Sequence, residues 1–362
     1  VVGTGELVEA ARELASSAES IALGMDFSFL YDRGRRLMRL GHDVSRGEAD
    51  PVHYDLLASE ARVASYVAMA KGDVPPSHWM HLGRPLARVG RRFVLLSWGA
   101  TMFEHLMPVL LMRHPPGTLL ADSAESAVQG QLAWAARRDL PFGVSESGFD
   151  STDAAGWYQY RAFGVPGLGL RRDLGDDQVI APYATLLALP YAPAAVLEAI
   201  GRFVELGMLG SYGFREAVDF TPSRARAGPG IVRSYMAHHQ GMSLLAIANG
   251  LDGARMVSRF HRNRRMATLE HLLHEGVASG IAPKRLGEIV PAIPAALRSP
   301  LVEWKVPCGT PQREVAVLGN GRYEVLLTDG GGGRSTFEGL ALDLAADDPT
   351  AESGGTWIHL RD

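Results

Sequence analysis

Residues 55–71 read DLLASEARVASYVAMAK, a stretch rich in Ala, Leu and Met whose apolar side chains recur at three- and four-residue steps. This spacing is typical of a helix, and the following GDVPP (72–76) predicts its end and a turn. Similar apolar segments occur at 99–113, 121–138, 181–190, 193–208, 234–250 and 266–278. Loops rich in aromatic and acidic residues join them. We therefore expect a mainly α fold, an α-toroid whose helix ends frame a cleft.

The pattern changes near residue 286, where a segment punctuated by proline, IVPAIP (289–294), begins to separate two regions. Beyond it, residues 314–318, 323–328 and 356–360 alternate as strands do, with glycine-rich turns between them. The sequence predicts a helical domain over residues 1–285, a linker over 286–300, and a β-rich segment over 301–362 that opens a larger sandwich.

Composition excludes several classes of protein. With 46% hydrophobic and 21% charged residues among 362, the chain has a globular composition. Its net charge of −4 argues against a general nucleic-acid binder. The single cysteine, Cys308, excludes an internal disulfide and a Cys-rich metal site and suits a reducing compartment. We find no motif for a metal, nucleotide or NAD, no run long enough to span a membrane and no secretory signal, and we interpret the chain as a piece of a longer protein.

Carboxylates set among aromatic residues are the main chemical signal. Four acidic residues lie in Gly-, Ser- or aromatic-rich contexts: Glu60, Glu104, Glu146 and Glu216. Glycoside chemistry requires one carboxyl that holds a proton for the leaving oxygen and another that is ionised. Aromatic rings that could stack on pyranose faces are also present: Trp79, Trp98, Trp157 and Tyr158.

Structural explanations compete with catalysis at several positions. Glu60 could form a buried ion pair with Arg62, and Glu216 could pair with Arg215. Glu104 is open to either interpretation, whereas Glu146, between two serines, is harder to explain as solvated surface. The adjacent His238 and His239 diverge by roughly 100 degrees on a helix, so a shared metal is disfavoured. We expect one of them to bond to a sugar or to a core partner.

A series of motifs, in order along the chain, resembles the glucoamylase-like central domain of cyclic β-1,2-glucan synthases over about residues 25–285. The motifs are YDLLASEAR (54–62), KGDVP (71–75), HW (78–79), LGR (82–84), GATMFEHLMP (99–108), GVSES (143–147), YQY (158–160), FGVPGLG (163–169), APYAT (181–185), YGF (212–214) and MAHHQGM (236–242). The final segment, from LGNGRY (318–323) to WIHLRD (357–362), looks like the start of the phosphorylase-type β-sandwich that follows in those enzymes.

The resemblance implies an (α/α)6 toroid that cleaves linear β-1,2-glucan internally, holds it covalently and closes it into a ring. It leaves open whether the toroid's N-terminal helices are all present. Relatives of this fold are β-1,2-glucan hydrolases, so simple hydrolysis is an alternative, and a noncatalytic glucan-binding module is another. The implied partners are β-1,2-glucan and the membrane glycosyltransferase and phosphorylase parts of the same polypeptide. The parent is expected at the bacterial inner membrane, with this part on the cytoplasmic side.

The resemblance also suggests roles for individual residues. Glu146 is the expected nucleophile and Glu60 the general acid/base, with Glu104 or Glu216 as alternatives to Glu60. A retaining route places the two carboxyl groups about 5–5.5 Å apart, against about 6.5–9.5 Å for an inverting hydrolase. The residues expected to bind glucose are Trp98, Glu104, Tyr158, Gln159, Tyr160, Tyr183, Glu216 and His239. No cofactor or metal is expected.

Overall fold

The computed structural model describes residues 4–89, 92–224, 228–276, 315–320, 322–328, 332–338 and 340–342. It contains two compact units, Val1–Gly287 and Glu288–Asp362. The predicted linker over 286–300, Cys308 and the predicted strand over 356–360 lie outside the described residues. The predicted domain boundaries therefore stay predictions.

Helices dominate the described part of the first unit. They are α1 (Thr4–Gly24), α2 (Ala61–Lys71), α3 (Ser77–His81), α4 (Met102–Leu106), α5 (Leu119–Ala136), α6 (Pro182–Leu187), α7 (Pro193–Glu205), α8 (Ala237–Leu251), α9 (Arg255–Arg262) and α10 (Arg264–Ala267). Short 3-10 helices cover Ser28–Leu30, Met107–Leu110 and Glu270–His274. None of the helices in the described part is both long enough and apolar enough to cross a bilayer.

Short strands connect these helices. They are β1 (Tyr31–Asp32), β2 (Leu37–Met38), β3 (His42–Asp43), β4 (Glu48–Ala49), β5 (Leu86–Val89), β6 (Arg92–Leu95), β7 (Ser147–Thr152), β8 (Tyr158–Arg161), β9 (Val179–Ile180), β10 (Leu209–Gly210), β11 (Gly213–Phe214), β12 (Ala217–Asp219) and β13 (Gly230–Val232). Most pair as antiparallel hairpins, and β13, β12 and β9 form a three-stranded sheet in that order. The prediction of a mainly helical region is confirmed, but these hairpins were not predicted.

Helix α2 begins six residues later than its periodicity predicts. Ser59 has a φ of 46°, which breaks the helical path, and Glu60 occupies the N-cap position. Asp55 accepts a hydrogen bond from the Leu57 N–H at 2.9 Å, as an aspartate in a turn does. The helix ends where predicted, because Gly72 adopts the left-handed conformation with a φ of 89°. Glu60 therefore precedes the helix instead of lying within it.

Two apolar clusters form the core of the first unit. One gathers α4 to α8 around large side chains such as Trp134, Phe163 and Phe203. The other joins α2, α3 and the segment after α9, and contains Tyr66 and Trp79. Trp79 is only 1% exposed and packs edge-on against Tyr66 with ring centroids 6.1 Å apart. The suggestion that Trp79 stacks on sugar was therefore wrong, because its ring is part of this core.

The second unit contains a four-stranded antiparallel sheet in its described residues. Its strands are β14 (Val315–Gly319), β15 (Tyr323–Thr328), β16 (Gly333–Phe337) and β17 (Leu340–Ala341), in sequence order across the sheet. The β14–β15 register pairs Val315 with Thr328 and Gly319 with Glu324. The two strands predicted at 314–318 and 323–328 are confirmed as β14 and β15.

Two loops of the first unit make an unusually close contact. The N–H of Ser97 donates to Leu168, and the N–H of Leu170 donates back to Ser97, at 3.2 and 2.9 Å. Gly164 lies directly against the carbonyl group of Gly99, where a Cβ would overlap the carbonyl oxygen. The loop preceding α4 therefore depends on the absence of a side chain at residue 164.

We expect Gly164→Ala to lower the free energy of unfolding by about 1–3 kcal/mol, because overpacked backbone must shift to admit the methyl group. Gly201→Ala is the matched control. Gly201 lies at an exposed position of α7 with no atom near its would-be Cβ, so this change should stabilise by about 0.5–1 kcal/mol. Urea unfolding of both variants tests this, and equal stabilities would contradict the contact.

Candidate active site

Glu146 lies in a loop that neighbouring side chains hold in place. Gln131 on α5 accepts from the Val144 N–H at 2.9 Å and donates to the Val144 carbonyl at 2.8 Å. The hydroxyl of Tyr183 lies 2.8 Å from Ser145 Oγ and 2.9 Å from the carbonyl oxygen of Glu146. These contacts leave the Glu146 main chain little freedom, so they fix the point from which its side chain extends.

Gly143 makes the entry to this loop possible. Its φ of 127° lies in the region that favours glycine. A Cβ here would overlap the hydroxyl of Thr185 on α6. The loop can therefore pass close to the start of α6, where the Ala181 N–H donates to the Gly143 carbonyl at 2.9 Å.

Partial burial makes the Glu146 carboxyl group a weaker acid than usual. Its pKa is raised from 4.5 to about 7, first by burial and then by the negative charges of Glu104 and Glu60. Three of the four predicted carboxylates therefore interact electrostatically. A carboxyl group that holds a proton near neutral pH, beside others, has the acid–base character that a glycoside-cleaving site needs.

Glu104 is largely occupied by hydrogen bonds within its own helix start. Thr101 caps α4 by accepting from the Glu104 N–H, and the Glu104 carboxylate accepts in return from the Thr101 N–H, both at 3.0 Å. The same carboxylate also accepts from the Gly99 N–H at 3.0 Å and from the hydroxyl of Ser97 at 3.0 Å. Glu104 contributes charge to the cluster, but these donors tie its oxygen atoms to the α4 terminus.

Glu60 is exposed, and its carboxylate accepts a hydrogen bond from the hydroxyl of Ser59. Arg62 is fully buried and points away, donating to the carbonyl oxygen of His105 at 3.2 Å. No ion pair joins Glu60 to Arg62 in the described residues, so the suggested structural pair is not formed. Arg62 instead ties the start of α2 to α4, which brings Glu60 and Glu104 into one region.

Glu216 is paired, but not with Arg215. Its Oε2 atom lies 2.9 Å from His239 Nδ1, and both side chains are buried. Its Oε1 atom accepts from the Gly148 N–H at 3.2 Å. The His239 ring stacks on Tyr183, with centroids 3.7 Å apart and an 11° angle between the planes. The expectation that one of the adjacent histidines bonds to a core partner is confirmed at His239.

Aromatic and polar side chains remain exposed near the cluster. Trp98, in the loop before α4, is 61% exposed, and Tyr160 in β8 is 43% exposed. Gln159 is also exposed, and Tyr158 is partly buried. The Tyr160 pKa is raised by burial and by the charges of Glu146 and Glu216, which places this phenol in the same electrostatic environment. Tyr183, in contrast, is buried beneath His239.

Three residues of the region were not among the sequence-predicted site residues. Ser145 and Gln131 hold the Glu146 loop, and both are polar residues in apolar surroundings, a signal visible in the sequence. Asp55 lies in a turn before Glu60, and burial together with the charge of Glu104 raises its pKa. Its position in the YDLLASEAR motif was the available signal. No cluster of three metal-ligating side chains occurs in the described residues.

Two cavities of about 400 and 430 Å³ lie apart from the carboxylates. The first lies between α5 and α7, and the second contains aliphatic residues near Tyr191 and the end of α8. Neither is lined by Glu60, Glu104, Glu146 or Glu216. The carboxylate cluster combines a carboxyl group of raised pKa with exposed aromatic side chains nearby, so we take it as the candidate active site.

Comparison with known proteins identifies relatives of both regions. Residues 52–264 match the Glycoamylase family model, which describes glucoamylases, and residues 299–362 match the supersandwich domain of glycosyl hydrolase 94. The chain is 42% identical to the cyclic β-(1,2)-glucan synthase NdvB of Rhizobium meliloti (strain 1021) over 98% of its own length. It spans only 13% of that relative. The predicted order of a glucoamylase-like region followed by the start of a sandwich is confirmed.

Solved structures share the helical fold. The endo-β-1,2-glucanase of Chitinophaga pinensis, in complex with sophorotriose and glucose, aligns with a TM-score of 0.56 and 16% identity over 73% of this chain and 65% of that chain. The endo-β-1,2-glucanase of Talaromyces funiculosus, in complex with sophorose, aligns with a TM-score of 0.51 and 15% identity. The alignment covers 70% of this chain and 55% of that chain. Since the first family model covers more than half of the sequence, the chain belongs to the glycoamylase family.

Proposed function

We propose that this chain is the ring-closing part of a cyclic β-1,2-glucan synthase. It cleaves an internal linkage of linear β-1,2-glucan through a glycosyl-enzyme intermediate and transfers the glucan to its own 2-hydroxyl end. The observation that carries the proposal is the raised pKa of Glu146 beside Glu60 and Glu104, with Trp98 and Tyr160 exposed nearby. The 42% identity to a cyclic β-glucan synthase supports this substrate and outcome.

The wider architecture and setting belong to the same proposal. Similarity to the glucanase structures supports an (α/α)6 toroid for the helical unit. The partners are then linear β-1,2-glucan and the remaining parts of the synthase, a membrane glycosyltransferase and a phosphorylase. This chain works at the cytoplasmic side of the bacterial inner membrane, anchored through those parts.

Glu146 and Glu60 form the catalytic pair, and the pKa of Glu146 favours an exchange of the roles expected from the sequence. A carboxyl group with a pKa of about 7 holds its proton well enough to protonate the leaving glycosidic oxygen. Glu60 then attacks C1 as the carboxylate. In the second step Glu146 takes the proton from the 2-hydroxyl of the acceptor glucose, whose oxygen displaces Glu60 from C1. Each step transfers one proton and exchanges one C–O bond.

The buried carboxylates have supporting roles. Glu104 caps α4 and raises the pKa of Glu146 through its charge. Glu216 and Tyr183 hold the chain on either side of Glu146. Contact with glucose is left to the exposed candidates Trp98, Gln159 and Tyr160 and to the partly buried Tyr158.

Hydrolysis is the second candidate function, because the structural relatives named above are endo-β-1,2-glucanases. Ring closure requires that the acceptor hydroxyl competes successfully with water at C1, so the two functions differ in their products. Linear β-1,2-glucan incubated with the protein should yield products that are one water lighter than linear glucan of the same number of glucose units, with no rise in reducing ends. A steady rise in reducing ends would identify a hydrolase.

Glu60→Gln and Glu146→Gln should each reduce turnover by about 10²–10⁴-fold, because each removes a group that reacts in the transition state. Glu48→Gln, in the exposed strand β4, is the matched control and should retain full activity. Product masses and reducing ends measure this. Full activity in both site variants, with glucan binding intact, would instead indicate a noncatalytic binding module.

Azide rescue distinguishes the nucleophile from the general acid/base among Glu60 and Glu146. With an aryl β-1,2-glucooligosaccharide as substrate, Glu60→Ala plus azide should yield the α-glucosyl azide, because azide replaces the nucleophile and inverts C1. Glu146→Ala plus azide should yield the β-azide, because azide attacks the covalent intermediate. NMR of the anomeric proton identifies each product. The opposite pattern would restore Glu146 as the nucleophile.

The pKa of Glu146 also predicts a trend in stability. Between pH 4.5 and about 7 the folded carboxyl group retains a proton that the unfolded chain has lost, so folding becomes less favourable as pH rises. Glu146→Gln removes this titration. Relative to wild type it should gain on the order of 1–3 kcal/mol in unfolding free energy between pH 5 and pH 8. Urea unfolding measures the difference, and a constant offset would contradict the raised pKa.

A further inference from the structure

We propose that Glu216, His239 and Tyr160 form a hydrogen-bond chain with a fixed direction, which presents the Tyr160 oxygen as an acceptor to a glucan hydroxyl beside Glu146. The inference rests on the proposed function for its substrate. Glu216 and His239 are positioning residues in this scheme, because they act through Tyr160. Tyr160 is the residue that touches the glucan.

The direction of the hydrogen-bond chain follows from the donor and acceptor capacity of each group. A carboxylate can only accept hydrogen bonds. Glu216 Oε1 accepts from the Gly148 N–H, and Oε2 lies 2.9 Å from His239 Nδ1, so Nδ1 must carry the hydrogen. In a neutral imidazole the other nitrogen, Nε2, is then an acceptor.

Tyr160 is the group that meets this acceptor. Its hydroxyl lies 3.5 Å from His239 Nε2, the longest contact in the chain. With its hydrogen directed to Nε2, the phenol oxygen turns its lone pairs toward the exposed side. A sugar hydroxyl can donate to those lone pairs, and binding is expected to tighten the contact, as in many substrate complexes.

Packing explains why the imidazole cannot turn to another arrangement. The His239 ring is buried and stacks on Tyr183 at 3.7 Å. Tyr183 in turn contacts Ser145 and the Glu146 carbonyl. Gly148, which donates to Glu216, is paired with Tyr160 across β7 and β8. One network therefore positions both the Glu146 main chain and the Tyr160 hydroxyl.

Glu216→Gln tests the direction without removing an atom from the network. The amide oxygen can still accept from Gly148, while its NH2 group now donates to His239 Nδ1. The histidine must then carry its hydrogen on Nε2 and donate to Tyr160, whose hydroxyl turns outward as a donor. An altered tautomer of this kind impairs catalytic histidines in which the acidic partner becomes an amide.

Nitrogen NMR of the full chain measures the tautomer directly. The His239 signals are those absent from His239→Gln. We expect the Nδ1–H tautomer in wild type and the Nε2–H tautomer in Glu216→Gln. His238→Gln is the matched control, since His238 is the exposed neighbour, and it should leave the His239 signals in the Nδ1–H form. An Nε2–H tautomer or an imidazolium in the wild type would overturn the proposal.

Glucan binding and turnover test the function of the hydrogen-bond chain. Tyr160→Phe and Glu216→Gln should each weaken affinity for linear β-1,2-glucan, or lower kcat/KM, about tenfold, with unchanged melting temperatures. In the Tyr160→Phe background, Glu216→Gln should lower the affinity or kcat/KM no more than twofold further, because Glu216 acts on the glucan only by way of the Tyr160 oxygen that this variant lacks. Additive losses would overturn the proposal.

The two proposals fail in different ways. If wild type binds the glucan without converting it, the proposed function fails, and calorimetric binding of the same variants still tests the chain. If wild type does not bind the glucan at all, Tyr160 has no such substrate and this proposal is overturned, whatever tautomer His239 adopts. Turnover together with the wrong tautomer overturns only the hydrogen-bond chain.

Discussion

Side-chain hydrogen bonds to the main chain between Val144 and Gly148 hold the whole candidate site together. Gln131, Tyr183 and Glu216 reach this segment from α5, from α6 and from the loop before β12. Buried main-chain groups must be paired, and here side chains from distant elements supply the partners. Because those side chains are buried, the segment cannot move without breaking several bonds. The Glu146 carboxyl group is consequently kept partly shielded from solvent.

Four acidic residues with similar sequence contexts occupy different environments. Glu104 is surrounded by the donors of a helix start, and Glu216 by a histidine and a main-chain N–H. Glu60 is exposed at the beginning of α2, whereas Glu146 is partly buried. These environments distinguish the hydrogen-bonded Glu104 and Glu216 from the two carboxylates that we propose as the catalytic pair. They also explain the raised pKa at Glu146, where burial acts together with neighbouring negative charge.

The sequence predicted helices best where apolar periodicity was long. Helices α5, α7 and α8 lie within a few residues of the predicted segments. The short hairpins were not predicted, since most of their strands have only two to four residues and leave no measurable alternation. The start of α2 was misplaced because Ser59 adopts a left-handed conformation, which periodicity does not report. The roles of Trp79 and Trp98 could not be separated from the sequence, since only the structure shows that Trp79 is buried in α3 and that Trp98 is exposed in a loop.

The sequence by itself determined the helical class, the order of a glucoamylase-like region before a sandwich start, and the set of carboxylates, because these depend on composition, periodicity and motif order. Only the tertiary structure decided that Glu216 pairs with His239 and not with Arg215, and that Arg62 turns away from Glu60. It also decided that partial burial and the neighbouring charges of Glu104 and Glu60 raise the pKa of Glu146. The physical reason is that hydrogen-bond partners and desolvation come from residues that are remote in sequence and meet only when the helices pack.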